Sequence, residues 1–435
     1  MVFRKNTGIC GSFKDPNDLL LSEWLKAIIR GFQAKADRED FSLSDRKGKS
    51  IGTPESLPEL AGQLKLGPPF ATLATEDNRR SMKSSLPLVL SLMVLLSSCS
   101  DSRSPEKFFG ELLVRIANVT EVVVNPKDAV VVLPSYPRPR DLVLAVEDIR
   151  VGFGTYLALG RCGLVGEVSA RNSSLGKFQS ASARLLYETR FLNQLKGCID
   201  DLQPVNQGEH KNFLAEVQSI AERKTAILPA VFWNATFGAP EFRVLLSTQT
   251  DPLPMRSEPS ATGLVTALDF ISEQAPASQA NLEPIAESAL ESQYYVLQSS
   301  KLIGQLLQGM VVTMAYMERG SELLETVAEQ KKLCPMGRKT VKGEYLFNVF
   351  RKFYIGEAQP YISLIHTQTR PLVEVIGQLV ETQGIDIPIA FQNFYDQTLN
   401  QNSKDSAWVK FNLAIARHTK AWQSVLNQCD LMPQP

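Results

Sequence analysis

The sequence predicts an all-α protein: an irregular multi-helix bundle with room for one small β element, preceded by a signal peptide and an unstructured prefix. Three observations predict it. From Phe108 onward apolar residues recur at three- and four-residue steps, and strand-like alternation is nearly absent. Apolar residues make up 44% of the 435, enough to build a substantial core. Residues 82–99 follow the grammar of an export signal, with a basic start, an apolar stretch, small residues and a cysteine in order.

The first 81 residues mix charges without periodicity and are interrupted by Gly48, Gly52, Gly67, Pro68 and Pro69. One segment, Leu19 to Phe32, has a short amphipathic pattern through Leu21, Trp24, Leu25 and Ile28, and nothing after it repeats that pattern. A signal peptide works at an N-terminus. The simplest reading therefore starts translation at Met82 and assigns 1–81 to an over-extended reading frame. The alternative is a cytoplasmic prefix followed by an internal anchor.

Lys83 opens the signal, Leu86 to Leu96 form its apolar core, and Leu96-Ser-Ser-Cys99 resembles a bacterial lipobox. Eleven helical residues reach about 16 Å against a hydrocarbon layer of roughly 30 Å, so the segment spans poorly. The lipobox resemblance implies cleavage between Ser98 and Cys99 and acylation of Cys99. A short buried helix is the alternative. Ser100, rather than Asp, follows the cysteine. In lipoproteins of this type that favours the outer over the inner membrane.

Beyond a polar tether, Ser104-Pro105-Glu106 reads as N-cap, first helical position and early acid. The helix it starts buries Phe108, Leu112, Ile116 and Val119. Val122–Val124 and Val130–Leu133 flank Asn125-Pro-Lys-Asp128, and read either as a small hairpin or as a helix end and an extended connector. Tyr136-Pro-Arg-Pro-Arg-Asp141 is extended, a docking strip or a plain bridge between helices. From Val146 the expected helices cover Ile149 to Leu159, Leu164 to Arg171, Ser180 to Leu202 and Lys211 to Leu228. Pro229 and Pro240 are read as breaks, and Phe242–Leu246 as an isolated strand. Three prolines within 249–261 mark a candidate sub-boundary. The longest helical pattern occupies 281–330, with Ile303, Leu306, Leu307, Met310, Met314 and Met317 in one stripe. It is shorter than a membrane span and interrupted by Gln305, Gln308 and Thr313, so it reads as a core helix. Three further stretches carry Val349 to Phe353, Pro371 to Val380 and Ile389 to Phe394. A last helix, Asp405 to Gln428, buries Trp408, Phe411, Ile415, Trp422 and Val425.

The expected organisation is a prefix at 1–81, a signal peptide at 82–98 and a helical periplasmic domain at 99–435. The whole chain holds 46 basic and 46 acidic residues. The first 98 carry 14 and 11 of these, leaving 32 and 35 from Cys99 onward. That slight negative balance offers no long-range attraction for nucleic acid.

Setting aside Cys10 and Cys99, four cysteines remain: Cys162, Cys198, Cys334 and Cys429. An even number in an exported chain suggests two disulfides. The preferred pairing is Cys162–Cys198, tying two successive helices, and Cys334–Cys429, pinning the last helix to the core. A metal site is the rival, but no CxxC or paired His/Cys spacing supports one, and no cofactor is implied; free buried cysteines are the remaining alternative.

No catalytic signature stands out. His210, His366 and His418 lie on separate segments, and His366 and His418 read as structural. The chain has no Walker loop, and Gly152-Phe-Gly154 lacks the strand and third glycine of a nucleotide site. The most specific polar patch is Arg171-Asn-Ser-Ser-Leu-Gly-Lys177. Arg171, Asn172, Ser173 and Lys177 would hold an anion on backbone N–H groups and two cations, or simply stop a helix. Glu188 and Arg190 are expected to pair with the patch.

From Met82 the chain resembles the lipoprotein-like family of unknown function numbered three thousand and eighty, from Gram-negative bacteria. The resemblance rests on Tyr136 to Asp141, Leu159-Gly-Arg-Cys-Gly-Leu164, Arg171 to Gly176, Leu185-Leu-Tyr-Glu-Thr-Arg190 and Gln359-Pro-Tyr361. It covers most of 99–435 and none of 1–81. It implies a helical envelope lipoprotein and supplies no active site. The sequence reading is accordingly a lipid-anchored, periplasm-facing interaction module, bound to the membrane through Cys99 and to an envelope protein partner. The alternative is a periplasmic hydrolase of wall or lipid substrates, in which polar residues of 171–190 meet His366 or nearby Tyr and Glu side chains.

Overall fold

The computed structural model describes residues 104–123, 132–203, 209–276 and 285–432. The prefix, the signal peptide and Cys99 lie outside the described residues, as does most of the hairpin expected at 122–133. Every regular element among the described residues is helical.

Helix α1 (Pro105–Thr120) begins as its sequence dictates. Ser104 Oγ accepts from Lys107 N at 3.3 Å, Pro105 takes the first turn, and Phe108, Leu112 and Ile116 are buried. Tyr136 of the proline-rich strip donates to Phe237 O at 2.7 Å and packs edge-on against Phe394. Burial pushes its phenol pKa well up. The strip then closes in a single turn, α2 (Pro139–Leu142).

Residues 143–152 form no regular element, although a helix is expected from Val146 onward. Asn234 accounts for part of this: its amide donates to Leu144 O and its carbonyl accepts from Leu144 N, so one side chain mimics a strand neighbour. The β-branched Val143, Val146, Ile149 and Val151 suit a non-helical backbone. Only α3 (Phe153–Ala158) is helical here, followed by a tight turn at Leu159–Cys162. Then come α4 (Val165–Asn172) and the single turn α5 (Ser174–Lys177).

Helices α6 (Ala181–Leu202) and α7 (Glu209–Ala235) form an antiparallel pair, since Glu188 early in α6 meets Lys224 late in α7. Tyr187, Phe191, Leu195, Phe213, Val217 and Ile220 form their shared core. Pro229 does not end α7; the helix runs on to Ala235. An internal proline costs about 3 kcal/mol. Burial of Leu228, Val231, Phe232 and Trp233, with Trp233 Nε1 donating to Leu142 O at 2.7 Å, offsets it. The strand expected at 242–246 is instead α8 (Pro240–Leu245). Pro240 at its first position and Glu241 beside it are helix-start signals that outweigh the short apolar run.

The loop at 249–261 is pinned at both ends: Leu253 N donates to Gln305 O at 3.1 Å and Ala261 N to Gln368 Oε1 at 2.8 Å. It leads into α9 (Thr262–Glu273). The long pattern of 281–330 divides at Ser300-Lys301 into α10 (Glu287–Ser299) and α11 (Leu302–Gln330). Helix α11 is the centre of the fold. Its faces are taken by α1, by α13 and above all by α15, the last helix (Ala407–Gln428). That is why it is buried almost all round, the methionine stripe included. No helix among the described residues is long and apolar enough to cross a membrane.

A continuous rod follows: α12 (Val341–Val349), a π-helical stretch at Phe350–Ala358, then α13 (Gln359–Glu381). Pro371, expected as a start, lies inside α13. The wide π turn carries Phe350 and Tyr354 onto Trp422 of α15, with ring centroids 5.0 and 5.8 Å apart. Helix α14 (Ile389–Thr398) seats Phe391 against Trp233 and Phe237.

Both disulfides form in the preferred pairing. Cys162–Cys198, with Cα atoms 5.3 Å apart, ties the Leu159–Cys162 turn to α6. Cys334–Cys429, at 5.2 Å, joins the exit of α11 to the end of α15.

Candidate functional site

The patch at 171–177 forms one side of a cleft of about 340 Å³. Residues 143–146 and the Gly238–Pro240 turn after α7 wall it, and the start of α6 opens onto it. Arg171 and Lys177 line the cleft. Asn172 and Ser173 do not: Ser173 caps α5, accepting from Gly176 N at 3.0 Å and donating to Ala170 O at 2.7 Å. The amide of Lys177 donates to Ser173 O and that of Phe178 to Leu175 O. These three N–H groups are therefore spent on the turn.

Gly176 makes the turn possible. A Cβ there would lie 2.2 Å from Ala170 O and 2.6 Å from Arg171 O, so no other residue fits without moving the backbone. Arg171 in turn donates through Nη1 to Gly176 O, which holds its guanidinium beside the cleft.

A third cation, Arg184, lines the same cleft. Its sequence signal was faint: it stands one helical turn before Glu188, the i,i+4 spacing of an ion pair. Glu188, only 1% exposed, accepts from Arg184 Nε at 2.9 Å and from Lys224 Nζ at 2.6 Å. Lys224 also lies over the rings of Tyr187 and Phe191, 5.0 and 4.9 Å from their centroids. Burial lowers the Lys224 pKa, against the pull of Glu188. Glu188 thus pairs behind the cleft and not with the 171–177 patch. Arg190 lies 3.7 Å from Glu167 and 3.8 Å from Glu287. Asn234 and Val143, remote in sequence, complete the wall.

Two other concavities carry no chemistry of this kind. One, of about 480 Å³, is lined by Asp396, Asp405 and Lys410 among others. There Asp396 accepts from Gln392 and Asn400, and Lys410 lies 3.6 Å from Asp405. The second, about 10 Å³, lies beside His418 and holds a single water at most. His418 is buried with Nδ1 3.3 Å from Ser321 Oγ, which at first suggests a nucleophile and its base. Trp422 Nε1, however, donates to His418 Nε2 at 2.9 Å, so the neutral ring carries its proton on Nδ1. Nδ1 faces Ser321 as a donor, and Ser321 Oγ donates onward to Met317 O. The pair is a structural relay. His366 stacks on Trp408 at 5.1 Å and does not line the cleft. No group of His, Cys, Asp and Glu among the described residues could hold a metal ion.

The family described as "Protein of unknown function (DUF3080)" matches residues 109–433, three quarters of the chain. The chain belongs to the DUF3080 family. No curated protein and no solved structure shows significant similarity to it. The segments that suggested this family have structural roles in the DUF3080 fold. Tyr136 seats the strip, Leu159 to Leu164 carries the first disulfide, and Arg171 to Gly176 builds the cleft turn. Leu185 to Arg190 supplies Glu188 and the α6 core, and Tyr361 donates to Leu253 O at 2.7 Å to fix the 249–261 loop.

Proposed function

We propose that this DUF3080 protein is a lipid-anchored module of the cell envelope, held through Cys99, facing the periplasm and working by binding rather than catalysis. The observation that carries the reading is the pairing of all four cysteines after Cys99 into two disulfides. Such bonds persist in oxidising compartments and are rare in a reducing cytosol. They agree with the signal-like run from Lys83 to Cys99. The binding role is favoured by a cleft that offers cations without a paired nucleophile and base. Ser100 after the acylated cysteine favours delivery to the outer membrane.

The test is acylation. In a Gram-negative host, labelled palmitate is expected to enter the wild-type chain and not Cys99→Ser, and the mature product is expected to lack peptides from 1–98. A product that retains residues 82–98 and takes up no label would overturn the reading.

A further inference from the structure

The mature chain has a slight excess of acidic residues, yet the lining of the cleft between α5, α6 and residues 143–146 holds Arg171, Lys177 and Arg184 and no carboxylate. Glu188, the nearest buried acid, is shared between Arg184 and Lys224, so that group carries net positive charge. Glu188 engages Arg184 through Nε and not through its Nη atoms. The N-terminus of α6, a helix of 22 residues, adds its positive dipole end through Ser180 and Ala181. Two guanidinium groups, an ammonium and a helix start around one space suit a compact, multiply charged oxyanion, and phosphate fits that description best.

The residues next to the cleft lining in sequence add a second requirement. Leu175 and Phe178, on either side of Gly176-Lys177, are 87% and 90% exposed, and Val143 on the facing wall is 53% exposed. Large apolar side chains held this far into water gain nothing from the fold itself. A free inorganic anion would leave them unused. An amphiphile whose charged head enters the cleft would cover them.

We propose that the cleft binds the phosphate headgroup of an anionic lipid. Arg171, Lys177 and Arg184 take the phosphate oxygens, and Val143, Leu175 and Phe178 meet the first carbons of the acyl chains. The volume, about 340 Å³, accommodates a headgroup and not a folded partner. The proposal goes beyond the anchor at Cys99 and does not depend on it, because the test removes that cysteine.

The experiment is calorimetric titration of the full chain carrying Cys99→Ser with three probes: water-soluble dihexanoyl phosphatidic acid, dihexanoyl phosphatidylcholine and inorganic phosphate. Saturable binding of phosphatidic acid is expected, tighter than that of either other probe. Lys177→Glu is expected to weaken it about ten-fold or more, the scale of one lost charged hydrogen bond. Lys177 is exposed, so its variant should keep the thermal midpoint of the parent, which separates loss of binding from loss of fold. Phe178→Ser is expected to weaken the lipid several-fold and leave inorganic phosphate unchanged. If phosphate binds as tightly as the lipid and Phe178→Ser has no effect, the cleft takes free phosphate and the lipid proposal fails. It also fails if phosphatidylcholine binds equally well, if Lys177→Glu binds unchanged, or if neither anion binds.

Discussion

At the scale of single residues, two buried polar groups decide more than any surface charge. Glu188 is held between Arg184 and Lys224 and shielded from water. Its removal leaves two cations facing each other in a poorly solvated space. Glu188→Gln is therefore expected to lower stability by about 3–5 kcal/mol in urea unfolding. Lys224→Met should cost less, because Arg184 still pairs with the carboxylate and the methionine fills the space over Tyr187. His418 acts through pH. Burial lowers its pKa from 6.5 to about 4, against weaker upward pulls from Met317 O and Glu325. Between those two values the unfolded chain binds a proton that the folded chain refuses, so stability falls as pH drops from 6.5 towards 4. The loss attributable to this ring approaches about 3 kcal/mol at the lower end. Unfolding titrations across that range should show a shallower slope for His418→Gln than for the parent. An identical slope would mean that the ring is not buried neutral.

At the scale of elements, local signals were legible where the chain decides its own conformation, and misleading where a distant residue does. Ser104-Pro105-Glu106 and Ser180 place the starts of α1 and α6 within a residue, because a cap acts on the three or four residues that follow it. The non-helical run at 143–152 is held in part by Asn234, some 90 residues away, and no local pattern announces that contact. Pro229 reads as a break and Pro371 as a helix start, because an isolated helix would be interrupted at each. Inside a packed bundle the lost hydrogen bond is outweighed by the apolar contacts on either side. The cleft divides in the same way. Arg171 and Lys177 stand six residues apart and could be noticed together, whereas Arg184 and Asn234 become part of the site only when α6 and α7 pack. Its least replaceable position is Gly176, where a side chain would strike the carbonyls of Ala170 and Arg171. Gly176→Ala is expected to displace the turn and loosen Arg171. Hydrogen exchange should then accelerate at Gly176 and Lys177 while the α11–α15 core keeps its protection. A variant whose 171–178 segment stays as protected as the parent would contradict this account of the turn.

At the scale of the whole molecule, two covalent ties serve two different cores. Cys162–Cys198 closes a span of 36 residues that takes in α4, α5 and most of α6, and Cys334–Cys429 a span of 95 that takes in the rod, α14 and α15. Chain-entropy reasoning assigns them roughly 4 and 5 kcal/mol respectively. The more informative difference lies in what each tie holds in place. The second fixes the end of α15, already bound to α11 by Arg417, which forks onto Glu325 at 3.0 and 2.7 Å and reaches Glu318 at 2.6 Å. Those charges are partly exposed and add little by themselves. The docking of α15 rests instead on Trp408, Phe411, Ile415, Trp422 and Val425, all buried. Replacing Cys334 and Cys429 by serine is therefore expected to lower the global unfolding free energy and raise exchange throughout α11 and α15. Replacing Cys162 and Cys198 should act mainly on the turn at 159–162, α3, α4 and the cleft beside them, with α11 and α15 nearly unchanged. Native-state hydrogen exchange on the two double variants separates these outcomes. Equal acceleration across both regions would show a single cooperative core and would tie the cleft's integrity to the far end of the bundle.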